Sequence, residues 1–183
     1  MLAPIDITGI RIETERLILR PWTREDLEDF YAYSSIEGLG QMAGWIPSKS
    51  MEESSVILDI FIREKKTFAI ELKASGRVIG SLGIEEPDPD PEKEMLGREI
   101  GYVLHKDHWG QGLMPEAVKA VISWCFDTLH YDFLTCSHFD RNHQSKLVIE
   151  KCGFRYFSTT RSETRYETVE NSVNYIRYKE NHT

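Results

Sequence analysis

Two glycines stand one residue apart where a strand-like run gives way to a long amphipathic helix, Gly110 and Gly112 within residues 108–117. Glycine has no Cβ, so its backbone N–H groups can come close to a ligand. The first turn of a helix also carries unpaired N–H donors and the positive end of the helix dipole. The turn therefore predicts a seat for a phosphate or pyrophosphate group at the start of the helix.

The glycine turn matches neither of the two common nucleotide signatures. The dinucleotide fingerprint needs a third glycine three residues after the second one, and this chain has Pro115 there. The nucleotide P-loop ends in Gly-Lys followed by Ser or Thr, and the sequence contains no such ending. A glycine turn that merely caps a helix remains open on this evidence, so the ligand must be identified from other parts of the chain.

Two further motifs accompany the glycine turn. The segment 140–145 contains Asn142 and Ser145, and an apolar helical stretch then leads to Glu-Lys-Cys-Gly-Phe at 150–154. Near the start, residues 14–21 have the sequence Thr-Glu-Arg-Leu-Ile-Leu-Arg-Pro. With the three motifs in this order and spacing, the sequence resembles the GNAT superfamily of N-acetyltransferases. It resembles most its RimJ/RimL-like branch, the ribosomal-protein N-terminal acetyltransferases.

The resemblance extends over residues 13–178 and implies that the chain binds acetyl-CoA as a co-substrate. It aligns the superfamily's pyrophosphate loop, Gln/Arg-x-x-Gly-x-Gly/Ala, with residues 109–114. Trp109 at the first position looks ordinary for the branch, whereas Met114 at the last position adds bulk near the cofactor. The expected cofactor-binding residues are Val103, Leu104, Trp109, Gly110, Gln111, Gly112, Leu113, Met114, Asn142 and Ser145.

Acetyl transfer from a thioester to an amine requires a group that takes a proton from the amine. Glu99 lies on the strand that leads into the glycine turn and is the first candidate for this general base. Three alternatives stay open: Glu99 is only a solvated strand residue, His105 or His138 is the base, or an ordered water takes the proton.

The departing thiolate must be protonated, and the thioester carbonyl must be polarised. The resemblance places Asn142 against the pantetheine arm and Ser145 near the sulfur, where its hydroxyl is a candidate general acid. Both residues could instead serve only as caps at the start of a helix. A backbone N–H near Tyr102, Val103 or Leu104 is expected to polarise the carbonyl. Because no nucleophile motif is present, direct attack in a ternary complex is predicted.

The acceptor side is less well defined by the sequence. Trp45, in the glycine-rich loop 38–50, is expected to form an apolar wall beside the thioester, although packing against a helix explains it equally well. Tyr102 and Tyr175 are expected to line the same cleft. By resemblance, the acceptor is the α-amine of a protein, such as a ribosomal protein. A small amine (polyamine, amino acid or antibiotic) and a non-catalytic acyl-CoA-binding module are the alternatives.

Composition limits the partners. The net charge of −8 at pH 7 disfavours a nucleic-acid binder, whose affinity comes mainly from Lys and Arg, and it is compatible with a cationic acceptor. No apolar run approaches the ~20 residues of a membrane span. Three cysteines without a C-x-x-C pair indicate reduced thiols, and the histidines lack metal-site spacing. We therefore expect no metal, a cytoplasmic location, and a monomer or homodimer.

The predicted elements follow the order β-αα-βββ-α-β-α-ββ. They include a hairpin of strands at 67–73 and 78–85, a strand at 98–106 before the glycine turn, and a strand at 133–137. Because strands and helices do not alternate strictly, the order predicts an α+β protein. We expect one domain over 1–183, with a single mixed, mostly antiparallel sheet flanked by helices on both faces. The resemblance implies the same architecture, the acyl-CoA N-acyltransferase fold.

Overall fold

Eight strands form one sheet in the computed structural model, which describes residues 4–180. The strands are β1 (Ile12–Glu13), β2 (Leu17–Pro21), β3 (Thr67–Leu72), β4 (Arg77–Glu85), β5 (Gly97–Leu104), β6 (Phe133–Phe139), β7 (Arg155–Glu163) and β8 (Val169–Tyr178). The helices are α1 (Leu27–Ser34), α2 (Met51–Glu64), α3 (Leu113–Asp127) and α4 (His143–Lys151). Across the sheet, the strands follow the order β1-β2-β3-β4-β5-β6-β8-β7.

The predicted fold class is confirmed. The sheet is mixed and mostly antiparallel, and the order of elements agrees with the prediction except that the short strand β1 is added. A 3-10 turn at Arg24–Asp26 precedes α1. It forms because the Asp26 carboxylate accepts hydrogen bonds from the Thr23 amide and from the Arg20 guanidinium. Residues 1–3 and 181–183 of the predicted domain lie outside the described part of the chain.

Side chains of successive strand residues alternate between the two faces of the sheet, and a hydrophobic cluster covers each face. Leu82, Ile100 and Leu104 pack in the cluster that contains residues of α3 and α4, which we call the α3/α4 face. Ala69 and Val103 pack in the cluster that contains residues of α1 and α2, which we call the α1/α2 face. Between residues 4 and 180, no helix has the length and apolar character needed to cross a membrane.

The strands β5 and β6 run parallel and stay together for a short distance. They pair from Gly97 opposite Phe133 to Glu99 opposite Thr135. Beyond Glu99, β5 remains paired with β4, and β6 remains paired with β8. The two strands therefore diverge and leave a gap whose edges carry backbone groups without a strand partner, which makes them available to a ligand.

Candidate active site

The gap between β5 and β6 opens into a cavity of about 300 Å³. Its walls come from β5, the glycine turn, the start of α4 and the loop between α1 and α2. The predicted site residues that line it are Glu99, Tyr102, Val103, Leu104, Trp109, Gly110, Gly112, Leu113, Met114, Asn142 and Ser145. Residues that are distant in sequence thus share one chamber at the centre of the sheet.

The glycine turn offers several unpaired donors to this cavity. Gly110 and Gly112 both have φ of +74°, a left-handed conformation that favours glycine. Among the hydrogen bonds within residues 4–180, none uses the amides of residues 110–114. Pro115 follows them and has no N–H to satisfy. Adjacent free amides at the positive end of α3 provide the cradle that a diphosphate needs.

Met114 lines the cavity, but most of its side chain is buried. Its residue is 4% exposed and packs in the core cluster of the α3/α4 face, so its bulk is buried while its amide stays at the helix start. Trp109 fixes the other end of the turn, because its indole N–H donates to the Leu104 carbonyl oxygen at 2.8 Å. The turn is therefore anchored to the end of β5 as well as to α3.

Arg16 holds the glycine turn from the opposite side. Its guanidinium donates to the Gln111 carbonyl oxygen at 2.9 Å and forms a two-pronged ion pair with the Glu116 carboxylate at 2.7 Å. Glu116 also accepts the Thr14 hydroxyl at 2.6 Å and the Arg16 amide at 2.8 Å. Burial alone would raise the pKa of Glu116, but the bonds from Thr14 and Arg16 outweigh it and keep that pKa low. The motif at 14–21 thus supplies a clamp for the turn.

Removing this clamp should weaken cofactor binding. We expect Arg16→Ala to raise the dissociation constant of coenzyme A about 10-fold, because charge-assisted bonds that orient the turn are lost. Titration calorimetry measures the constant, and Arg11→Ala is the control, since it breaks only an exposed ion pair with Glu13. In a double-mutant cycle with Glu116→Gln the effects should not add. Additive effects, or unchanged affinity in Arg16→Ala, would contradict the clamp.

Tyr102 and Ser145 form a hydroxyl pair on the α3/α4 face. Their side-chain oxygens are 2.9 Å apart, and either can donate. Burial raises the pKa of Tyr102 well above its usual range, so the phenol stays protonated at neutral pH. Sequence reasoning placed Tyr102 on the acceptor side. The structure pairs it with Ser145, because strand alternation points Tyr102, like Leu104, towards α3 and α4. A contact between Tyr102 and the acceptor stays a prediction.

Asn142 is the N-cap of α4. Its Oδ1 accepts the Ser145 amide at 3.1 Å, and its Nδ2 donates to the Met42 carbonyl oxygen at 3.1 Å. The capping role considered from the sequence is therefore present for Asn142. The hydroxyl of Ser145 takes no part in the cap and is free for the pair with Tyr102.

Glu99 stands where β5 and β6 separate, and its side chain points to the opposite, α1/α2 face. One carboxylate oxygen accepts the Ser137 hydroxyl at 2.8 Å, and the other accepts the Asp88 amide at 3.2 Å. Burial raises the pKa of Glu99 above its usual value. A raised pKa makes the carboxylate a better proton acceptor at neutral pH than an ordinary surface glutamate.

The two histidines considered as alternative bases differ in position. His138 lines the cavity, but the residue is 6% exposed and its Nδ1 lies 2.8 Å from the Phe139 carbonyl oxygen. His105 lies beyond the end of β5, outside the residues that line the cavity, and its Nδ1 accepts the Asp107 amide. Of the three candidates, Glu99 combines a raised pKa with a place at the apex of the gap.

The backbone of β5 alternates between its two neighbours. The His105 amide donates to the Ile79 carbonyl oxygen next to β4. Because backbone groups of successive residues in an antiparallel strand point to opposite sides, the Val103 amide faces β4, and those of Tyr102 and Leu104 face the gap. These two amides lie on the edge where a thioester carbonyl is expected to be polarised.

Three predicted site residues lie outside the cavity wall. The Gln111 carbonyl oxygen accepts the Arg16 guanidinium in the clamp described above. The ring of Trp45 packs so closely against Gly40 that a Cβ on residue 40 would collide with it. Tyr175 is 6% exposed in the core of the α3/α4 face, and its hydroxyl lies 3.4 Å from His138 Nε2. The substrate-binding role expected of Trp45 and Tyr175 therefore stays a prediction.

Sequence reasoning missed a strap, residues 37–44, that crosses the gap on the α1/α2 face and lines the cavity with Leu39, Met42 and Ala43. Four side chains hold the strap by its main-chain carbonyl oxygens. The bonds are Lys106 Nζ to Glu37 O (2.8 Å), Arg141 Nη2 and Tyr166 Oη to Gln41 O (2.7 Å each), and Asn142 Nδ2 to Met42 O (3.1 Å). The sequence signalled only a glycine-rich loop, because none of these contacts is local.

Acyl transfer from a coenzyme A thioester to an amine needs amides for the diphosphate, an amide for the thioester carbonyl and groups that move protons. Candidates for all three lie around the gap between β5 and β6. This fold and arrangement are those of the acyl-CoA-dependent transferases. Residues 16–155 match the family model described as Acetyltransferase (GNAT) domain. The chain belongs to the GNAT acetyltransferase family, and it is an acetyl-CoA-dependent acetyltransferase.

Several known proteins are similar to this chain. The protein named Uncharacterized N-acetyltransferase YoaA, from Bacillus subtilis, is 28% identical over 149 residues, which are 79% of this chain and 82% of that protein. A GNAT-family acetyltransferase structure from Bacillus anthracis has a TM-score of 0.81 at 19% identity, covering 92% of this chain and 98% of that one.

Two further solved structures share the fold. The ribosomal-protein-S5-alanine acetyltransferase from Vibrio fischeri has a TM-score of 0.73 at 19% identity, covering 95% of this chain and 99% of that one. The Microcin C7 self immunity acetyltransferase MccE, in complex with acetyl-CoA and AMP, has a TM-score of 0.75 at 15% identity, covering 91% and 94%. The second of these structures contains acetyl-CoA bound to a protein of this fold.

Proposed function

We propose that this acetyltransferase carries the acetyl group of acetyl-CoA to the α-amine of a protein N-terminus by direct attack in a ternary complex. The observation that carries the proposal is the position of Glu99 on one face of the gap and the Tyr102–Ser145 pair on the other. The RimJ/RimL-like motifs, and the fold shared with the ribosomal-protein acetyltransferase of Vibrio fischeri, support a protein as acceptor.

In this proposal, the carrier binds along the open edge of β5. The amides of residues 110–114 hold the diphosphate, and the pantetheine arm enters the gap between β5 and α4. Asn142 keeps one side-chain N–H beyond the bond to Met42 and can offer it to that arm. The amides of Tyr102 and Leu104 face the thioester carbonyl, where they stabilise the charge that develops on its oxygen.

The proton transfers run from one face of the gap to the other. Glu99 takes a proton from the ammonium group, and the neutral nitrogen then attacks the carbonyl carbon. The carbon–sulfur bond breaks, and the departing thiolate takes a proton from the Tyr102–Ser145 pair. The nitrogen, which gained a positive charge on attack, loses its second proton to solvent to give the amide, and solvent returns a proton to the pair. A base on one face and an acid on the other match direct transfer, because amine and thiolate are separate substituents of the tetrahedral carbon and each needs its own proton-transfer group.

Thiol release from acetyl-CoA tests the acceptor class. The acceptors are a short peptide with a free α-amine, the same peptide with a blocked α-amine and one lysine, and spermidine. The proposal expects release with the first peptide and little with the others. Faster release with spermidine would establish a small-amine enzyme instead. Coenzyme A binding without release with any amine would indicate an acyl-CoA-binding module.

The hydroxyl pair gives a further prediction. Tyr102→Phe and Ser145→Ala should each lower kcat by about 10² or less, since one general-acid step contributes roughly 10²–10⁴ and the partner or water partly substitutes. The coenzyme A dissociation constant should change little. Steady-state assays of thiol release measure kcat. Tyr178→Phe is the control, because the Tyr178 hydroxyl donates to Glu92 and neither residue lines the cavity. Equal losses in kcat and affinity would count against an acid role.

A further inference from the structure

Two glycines of the sheet have no structural reason to be glycine. Of the 12 glycines in the chain, seven have positive φ. At three more, a Cβ would collide with neighbouring atoms, and these are Gly40, Gly80 and Gly97. Only Gly83 and Gly101 remain. A Cβ at Gly101 would meet nothing within 4 Å, and one at Gly83 would meet only ordinary van der Waals contacts.

Gly83 and Gly101 lie directly opposite each other in the interiors of β4 and β5. Glycine inside a strand weakens it, and it often marks a place where a ligand or another backbone comes close. Their positions alternate with Leu82 and Tyr102, which point to the α3/α4 face, so both glycines present their side-chain positions to the α1/α2 face. Together they form a floor without side chains; Gly101 is exposed and lines the cavity, and Gly83 is half-buried and continues the floor beyond the cavity lining.

The floor ends at the proposed base. Glu99 lies two residues before Gly101 on the same strand face, a separation of about 6–7 Å. Both residues line the cavity, and the strap lines it on the same face through Leu39 and Met42. The space between floor and strap is therefore a slot that leads to the carboxylate.

A second observation points to a ligand at this end of the slot. Thr135 pairs with Glu99 across the parallel strands, so its side chain points to the same face. It is 3% exposed, and its hydroxyl has no hydrogen-bond partner among the described residues. A buried hydroxyl without a partner is costly and is usually satisfied by a ligand or a water. Thr135 does not itself line the cavity, but an amine bound at Glu99 would lie on the same sheet face, next to the strand position that Thr135 occupies.

We infer that Gly83 and Gly101 form the floor of the acceptor site and that the amine-bearing segment of an extended peptide lies across them. A peptide backbone fits a floor without side chains, and its ammonium group reaches Glu99 at the end. Bulk at the floor would then exclude the acceptor and leave the carrier bound, since the carrier lies on the other side of the gap. This inference rests on the proposed function.

Labelling of an introduced thiol tests the floor. Cys125, Cys136 and Cys152 are all buried, so N-ethylmaleimide should modify Gly101→Cys selectively. The variant should fold, because a Cβ at this position has open space. Ser123→Cys, at an exposed position of α3, is the matched control. The probes are acetyl-CoA and a short peptide with a free α-amine. Mass spectrometry confirms the label.

The label on Gly101→Cys should lower peptide acetylation more than ~10-fold through a steric clash, while coenzyme A affinity changes less than about 3-fold. The labelled control should retain both. If the labelled Gly101→Cys acetylates the peptide at the unlabelled rate, or loses coenzyme A binding as well, the floor is not the acceptor site. If the unmodified protein acetylates no peptide, the proposed function fails first and the inference with it.

Discussion

Replacing Gly112 with Asp is expected to raise the dissociation constant of coenzyme A by about 100-fold. A carboxylate at this position would stand beside the diphosphate seat, and two like charges about 5 Å apart repel by ~3 kcal/mol near a protein surface. A repulsion of that size corresponds to roughly 100-fold in affinity. The new side chain would also lie close to Arg16, since a Cβ on Gly112 would be 3.6 Å from its guanidinium.

Two controls separate charge from backbone strain. Gly112→Ala introduces the same left-handed strain without charge and should weaken binding only a few-fold, since the strain costs about 1 kcal/mol. Gly76→Asp puts the same residue at another left-handed glycine, in the turn between β3 and β4, and should leave binding unchanged. Titration calorimetry with coenzyme A compares them. If alanine weakens binding as much as aspartate, the turn matters for its shape and not for the anion.

Glu99→Gln is expected to lower kcat/KM for the peptide acceptor by about 10²–10³, the usual contribution of a general base. Glutamine keeps the size of the side chain and can still accept the Asp88 amide. The coenzyme A dissociation constant should stay the same. Glu85→Gln is the matched control, because Glu85 pairs with Glu99 in register but is exposed and bound to Lys66.

The pH dependence gives Glu99→Gln a second signature. A base must be ionised, so the rate of the unmodified enzyme should fall as pH drops through the raised pKa of Glu99. The variant should lose this acid limb. A rate within a few-fold of the unmodified enzyme, with the limb intact, would instead support His138 or an ordered water as base.

Stability should move in the opposite direction to activity. Because burial raises the pKa of Glu99, its charged form is less favourable in the folded state than in the unfolded chain. Stability is therefore lost as pH rises from the ordinary value of 4.5 through the raised one. Glu99→Gln should raise Tm at neutral pH, and the gain should vanish below the ordinary value. A lower Tm at neutral pH would show that the hydrogen bonds outweigh the buried charge.

Local patterns were sufficient to predict much of this molecule. The glycine turn and the start of α3 depend on neighbouring residues, and the structure gives Gly110 and Gly112 the left-handed backbone that glycine allows. The order of strands and helices follows from hydrophobic periodicity in the same way. The conformation of the turn and the order of the elements around it were therefore accessible from the sequence, and cofactor binding by the turn stays a prediction.

Contacts between distant segments could not be predicted in this way. The clamp joins Arg16 to Glu116, which are 100 residues apart, and no local pattern links an arginine to a particular carboxylate. The hydroxyl pair is another such contact, because Tyr102 and Ser145 are 43 residues apart in the sequence. The strap depends on four such distant contacts.

The way in which the strap is fastened separates two properties of the enzyme. Side chains from elsewhere grip its peptide carbonyls at Glu37, Gln41 and Met42, and any amino acid supplies a carbonyl. The side chains that the strap turns to the cavity, those of Leu39, Met42 and Ala43, can therefore be exchanged without removing these fastenings or changing the amides proposed to hold the diphosphate. Enzymes that descend from one ancestral gene could therefore acquire new acceptors through substitutions in this short segment, while acetyl-CoA remains the donor.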